Sequence, residues 1–146
     1  MKIFGFGSQA PAPCHSGQPK RIRVLGIDDN DRFLQSIREL LTPDRFEVVA
    51  INSPVKALEL FSVDKHGFDL VLLDYFMPRL NGAETFAWLR KLNPNVKVII
   101  CSGADALQLR QLVTQSGMNG YIQKPFHMNE IVDLINKVIG ELPAGV

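Results

Sequence analysis

The chain has 146 residues, 46% of them hydrophobic and 21% charged, which suits one domain with its own core and excludes a large enzyme with separate substrate and cofactor domains. Lys and Arg total 16 against 15 Asp and Glu, so a net charge of +1 offers no basic footprint for nucleic acid and no acidic tail. No apolar run approaches the roughly 18 residues of a membrane helix, and the two cysteines, Cys14 and Cys101, are too few for a disulfide framework and lack metal-ligand spacing. Met1 to Gly7 carries too short an apolar stretch for a signal peptide, so the expectation is a reduced, cytoplasmic protein without membrane contact.

Residues 1–19 are rich in Gly, Pro and small polar residues and are expected to form a flexible N-terminal tail, with Phe4 and Phe6 as its only aromatic residues. From Lys20 the pattern changes. Ile22 to Ile27 is a short apolar strand. Asp31 to Leu41 follows as a helix with Phe33, Leu34, Ile37, Leu40 and Leu41 on its apolar stripe. Thr42-Pro43-Asp44 breaks it, and Phe46 to Ile51 reads as a second strand. Ser53-Pro54 is an N-cap with a first-turn proline, opening a helix that carries Val55, Leu58 and Phe61. Asp69 to Leu73 is a third strand, apolar on both faces, and Gly82 to Leu92 is a helix with Phe86, Leu89 and Leu92 on one side. Val96 to Cys101 is a strand, Ala106 to Ser116 a helix stopped by Gly117, Tyr121 to Gln123 a last short strand, and Met128 to Ile139 the final helix.

Five strand-helix units, with strands apolar on both faces, predict an α/β fold: a doubly wound, five-stranded parallel sheet of flavodoxin-like (βα)5 form. In such sheets ligands sit beyond the carboxyl ends of the strands, where the strand order reverses. Asp28 and Asp29 end the first strand, Asp74 the third, Ser102 the fourth and Lys124 the fifth, so these residues are expected to converge. Asp69 begins the third strand, some 16 Å from Asp74, and reads as a solvated residue at the opposite edge. Three carboxylates in one pocket repel one another and need positive charge. Lys124 supplies one unit, and an all-oxygen ligand set suits Mg²⁺. A carboxylate, a hard cation, an ammonium and a hydroxyl suit phosphoryl transfer to an aspartate, catalysed by positioning and charge neutralisation.

Ile27-Asp28-Asp29-Asn30, the stretch Asp74 to Gly82 (with Met77-Pro78 and Asn81-Gly82), Ser102-Gly103-Ala104 and Tyr121 to Phe126 (with Lys124-Pro125-Phe126) resemble, in order, the signature segments of response-regulator receiver domains. The resemblance covers residues 20–141, leaving 1–19 as the N-terminal tail and 142–146 as a C-terminal tail, too little for a folded output domain. It implies a single-domain response regulator of a two-component phosphorelay. Asp74 would accept a phosphoryl group from a histidine kinase or phosphotransfer protein, with slow self-dephosphorylation and no enzymatic turnover. The metal set it implies is Asp29 directly, Asp28 largely through water, Asp74, and the backbone carbonyl of Phe76. Lys124 would pair with a phosphoryl oxygen through a residue whose bond to Pro125 is cis. Ser102 would hydrogen-bond the phosphoryl group while Tyr121 rotates inward, switching the face formed by the fourth helix, fifth strand and fifth helix toward an effector protein.

Phe76, bulky and apolar, and Ala104, small, fall at positions that, as the resemblance implies, influence access of hydrolytic water, and Phe76 is expected partly to shield the acyl phosphate. Cys101 reads as a buried small hydrophobe, His15, His66 and His127 as surface residues, Phe126 as a packing anchor for the last helix, and Gly82 as a turn glycine. An Mg²⁺-dependent Asp-nucleophile phosphatase is the first alternative, but it carries Asp-x-Asp after the first strand where this chain has adjacent aspartates. A flavodoxin-like cofactor binder needs a Gly/Ser/Thr-rich phosphate loop, and Asp28-Asp29-Asn30-Asp31 is electrostatically wrong for that. A phosphate sink or scaffold is the third.

Overall fold

The computed structural model describes residues 20–77 and 81–140; residues 1–19 and 141–146, which include both expected tails, and Pro78, Arg79 and Leu80 lie outside them. Ten elements alternate along the described chain: β1 (Ile22–Ile27), α1 (Asp31–Leu40), β2 (Phe46–Ile51), α2 (Pro54–Val63), β3 (Leu70–Leu73), α3 (Gly82–Leu92), β4 (Lys97–Ser102), α4 (Ala106–Ser116), β5 (Gly120–Gln123) and α5 (Met128–Gly140). All pairings are parallel, and the sheet order is β2-β1-β3-β4-β5. The predicted α/β sheet and its element order are therefore found, with strand ends moved by one residue: Asp69 falls before β3, and Ser102 closes β4.

Side chains alternate across each strand, so the sheet has two cores. Leu25, Ile27, Val71, Leu73, Val98 and Ile100 pack with Ala57 and Phe61 of α2, Phe86 and Leu89 of α3 and Leu109 of α4. Val24, Leu70, Leu72, Ile99 and Cys101 pack on the other face with Ile37 of α1 and Ile131, Ile135 and Val138 of α5. Each fully buried Leu, Ile or Phe contributes roughly 1.5–3 kcal/mol, which is why the central strands read as unbroken apolar runs. Helix starts are set locally by Asn30, Ser53, Asn81 and Asp105, whose side chains accept from backbone N–H groups of the first turn. Gly117 ends α4 in the left-handed region at φ 83°.

Gly82 departs from its expected role. It is the first residue of α3, and its smallness rather than unusual dihedrals is what the fold uses. A Cβ there would lie 2.4 Å from the Tyr75 Cα and 2.7 Å from its carbonyl oxygen, to which the Gly82 N–H donates at 2.8 Å. Gly82→Ala is expected to cost about 1–3 kcal/mol by overpacking and to displace the loop carrying Tyr75 and Phe76. Urea denaturation checks this; an unchanged midpoint would contradict it.

Asp69 is likewise more than a solvated edge residue. It does lie at the amino end of β3, but it is only part-exposed, and its Oδ2 accepts the Arg23 N–H at 2.8 Å while Lys20 approaches Oδ1 at 3.8 Å. It supplies the acceptor that the β1 backbone lacks where β3 has not yet begun.

Candidate functional site

The strand order reverses between β1 and β3, and the ladder there ends with Ile27 beside Leu73. One further bond, Asp74 N–H to the Ile27 carbonyl at 2.9 Å, carries the pairing past the strands and sets Asp28 next to Asp74. One carboxylate oxygen from each of Asp28, Asp29 and Asp74 lies within 4.8 Å of the others. Asp28 is 1% exposed and Asp74 8% exposed, whereas Asp29 opens to solvent. The predicted convergence of carboxylates is thus observed.

Their surroundings differ. Asp28 has both oxygens engaged: Oδ1 accepts the Asn30 N–H at 2.8 Å, and Oδ2 meets the Lys124 Nζ at 2.5 Å. Among the described residues Asp74 has one modest partner, the Phe76 N–H on Oδ1 at 3.3 Å. Burial first, and then the Asp28 charge, push the Asp74 carboxyl up to about 6, against the opposing pull of Lys124 and the Phe76 N–H. One ammonium therefore does not compensate three carboxylates at neutral pH. All the ligand atoms are oxygens, and the charge deficit is of the kind a hard divalent cation such as Mg²⁺ relieves. The donor set fits the ion.

Ser102, at the end of β4, is 1% exposed, and its Oγ accepts the Ala104 N–H at 3.2 Å. Its backbone carbonyl receives the Lys124 N–H at 2.7 Å, which ties the end of β4 to the residue after β5. The Lys124–Pro125 bond is cis. Tyr121 is half-buried on β5, pairs in register with Ile100, and packs on the core face shared with α4. Phe76 points outward, 62% exposed, with its ring edge-on to Tyr75 at 5.1 Å. Phe76 and Ala104 line one groove between the loop after β3 and α4. Cys101 is buried, and burial pushes its thiol up to about 12, so it is an inert packing residue beneath the site. His66 and His127 are exposed.

Two contributors escaped the motif reading. Asn30 caps α1, accepting from the Arg32 and Phe33 N–H groups, and so fixes the acidic turn in place. Phe33 lies under the Lys124 ammonium, 3.9 Å from Nζ to the ring centroid. The spacing of Asn30 from the first helical residues was a signal for the former. An aromatic on a helical stripe gives no such signal, because it reads as core.

Comparison with known proteins agrees with this geometry. The family described as the response regulator receiver domain matches residues 24–136. The chemotaxis protein CheY of Thermotoga maritima is 30% identical over 119 residues, covering 80% of this chain and 96% of that protein. The response regulator MprA of Mycobacterium leprae is 29% identical over 118 residues, 81% of this chain but 51% of its own length, so the chain spans about half of that relative. A receiver domain from Clostridium thermocellum, solved by crystallography, superposes with a TM-score of 0.77 at 30% identity, covering 86% of this chain and 99% of its own.

Proposed function

Because this chain belongs to the response regulator receiver domain family, we propose that Asp74 accepts a phosphoryl group and that the resulting charge change switches a protein-binding surface. The observation that carries the reading is the buried, charge-deficient Asp74 carboxylate at the sheet's reversal point, flanked by Asp28, Asp29 and Lys124. An Asp74 oxygen attacks the phosphorus of a phosphohistidine on a histidine kinase or phosphotransfer protein. The P–N bond breaks, its electron pair returns to the imidazole, and an acyl phosphate forms. A bound Mg²⁺ would neutralise phosphoryl oxygens during transfer. Asp29, Asp74 and the Phe76 carbonyl would hold it directly. Asp28 would act largely through water, which its two engaged oxygens support. Lys124 would turn its ammonium to a phosphoryl oxygen, and the Ser102 hydroxyl would donate to another.

Ser102, the last residue of β4, and Lys124, just past β5, are joined by a backbone bond, so drawing both inward pulls on β5 and gives Tyr121 room to follow. The surface altered would be the α4-β5-α5 face, where Tyr121, Val113, Leu134 and Lys137 border a groove suited to an effector protein. Among the described residues no helix is long and apolar enough to cross a membrane, and a cytoplasmic switch without enzymatic turnover or nucleic-acid contact is the reading we favour. A two-component pathway supplies the donor. Incubation with acetyl phosphate and Mg²⁺ tests it: one stable-to-isolation acyl phosphate per chain is expected, whereas sustained phosphate release at many turnovers would favour the phosphatase alternative.

Phe76 sets the lifetime in this scheme. Its ring lines one groove with Ala104, and in this scheme it would cover the approach of an attacking water. Phe76→Asn, which removes apolar cover and adds a group able to orient water, is expected to speed loss of the phosphoryl group by about tenfold. Equal decay rates for the variant and the parent would sink the shielding idea.

A further inference from the structure

We infer that Phe33 is a positioning residue for phosphoryl acceptance: the face of its ring seats the Lys124 ammonium at the mouth of the carboxylate pocket. The inference rests on the phosphoryl-accepting reading above and concerns how its lysine is held ready. The Lys124 Nζ lies 3.9 Å from the Phe33 ring centroid on one side and 2.5 Å from Asp28 Oδ2 on the other. A ring face attracts a cation through its quadrupole, and the attraction strengthens as the cation loses water. Lys124 is in that regime, with its side chain 22% exposed.

The ring itself is held from two directions. Phe33 is the third residue of α1, and its N–H is accepted by the Asn30 side chain at 3.2 Å, which ties it to the acidic turn. Its ring meets Phe126 edge to face, at 5.8 Å and 87° between planes. Phe126 is two residues beyond Lys124 across the cis bond, so one loop supplies both the ammonium and the aromatic buttress of its seat. A flexible lysine stem is thereby confined without using any of its hydrogen-bond directions.

That difference matters for the proposed step. Asp28 holds the ammonium through a directed, charged contact, and an arriving phosphoryl group must compete for it. The ring exerts a broad attraction with no preferred donor direction. The ammonium can therefore swing from Asp28 toward Asp74 while remaining close to the ring. A core-filling role alone would need only the volume of Phe33, whereas seating a cation needs its electron-rich face.

Ring electronics separate the two. Phe33 is replaced by phenylalanine carrying increasing numbers of ring fluorines, which withdraw the quadrupole with little change in shape, and by Leu and Trp. The readouts are the initial rate of acyl-phosphate formation from acetyl phosphate at saturating Mg²⁺ and the proton shift of the Lys124 ε-methylene. The parent is expected to show an upfield ring-current shift that Phe33→Leu abolishes. The rate is expected to fall stepwise with fluorination, by about three- to tenfold at full substitution, and to recover in Phe33→Trp. Parent-like rates across the fluorinated series, in a parent that labels normally, overturn this inference and leave the receiver reading standing. A parent that takes up no phosphoryl group overturns both.

Discussion

Asp74→Asn is expected to abolish phosphoryl uptake and, in buffer free of divalent ions, to make the protein more stable at neutral pH. The first effect follows from the loss of the nucleophile, since an amide oxygen does not form the acyl phosphate. The second follows from the pocket. Burial and the neighbouring Asp28 raise the Asp74 carboxyl from an ordinary 3.8 to about 6 in the folded protein. A carboxyl whose folded value is raised binds its proton more tightly when folded. Its penalty is absent well below pH 4, where both states are protonated, grows as pH rises from about 4 to 6, and is complete by about pH 7, where both are ionised. Removing the charge at pH 7 is therefore expected to add up to about 3 kcal/mol to the unfolding free energy. The gain should shrink to about 0.5 kcal/mol at pH 4. Asn retains an oxygen for the Phe76 N–H, so little is lost in exchange. Urea unfolding of both proteins across this pH range measures the difference; a variant less stable than the parent at pH 7 would mean that the buried Asp74 charge does not burden the fold.

Lys124→Met moves stability the other way. Asp28 is 1% exposed, and its Oδ2 faces the only ammonium drawn to the pocket among the described residues. Breaking a buried pair by removing one partner typically costs about 3–5 kcal/mol. Because Lys124 is partly exposed, about 2–3 kcal/mol is expected in metal-free buffer at pH 7. The variant's pocket is more negative, so its Mg²⁺ affinity should rise several-fold even as phosphoryl transfer falls by about a hundredfold. Isothermal titration calorimetry with Mg²⁺ reads the affinity, and denaturation with and without Mg²⁺ reads the stability. Weaker Mg²⁺ binding together with unchanged stability would contradict the roles given to Lys124.

The layer structure was legible because its signals are local and strong. Leu70 to Leu73 and Val98 to Cys101 are apolar on both faces, and only strands covered on both sides require that. Asp28, Asp74 and Lys124 stood out because charge at the carboxyl end of such a strand has no packing reason to be there. What stayed hidden depends on register between distant segments. Asp69 caps the Arg23 backbone only because β1 runs two residues ahead of β3. Arg90 bonds the Val96 carbonyl, the Gly117 carbonyl and the Asn119 side chain, tying the end of α3 to the turn between α4 and β5 across 27 and 29 residues. No periodicity announces such a span. Gly82 was singled out for the wrong physical reason, since a close approach to Tyr75 is invisible until the loop is built. Phe33 looked like any other residue of an apolar stripe, and its cation partner lies on the last loop of the fold.

The most direct test of Asp74 as the phosphoryl acceptor is chemical trapping. The protein is treated with acetyl phosphate and Mg²⁺, reduced with borohydride, which converts an aspartyl phosphate to homoserine, and mapped by peptide mass spectrometry. Homoserine at position 74 alone, dependent on Mg²⁺, is the expected result. Conversion at Asp28, Asp29 or another carboxylate, or none at all in a folded protein, would contradict it.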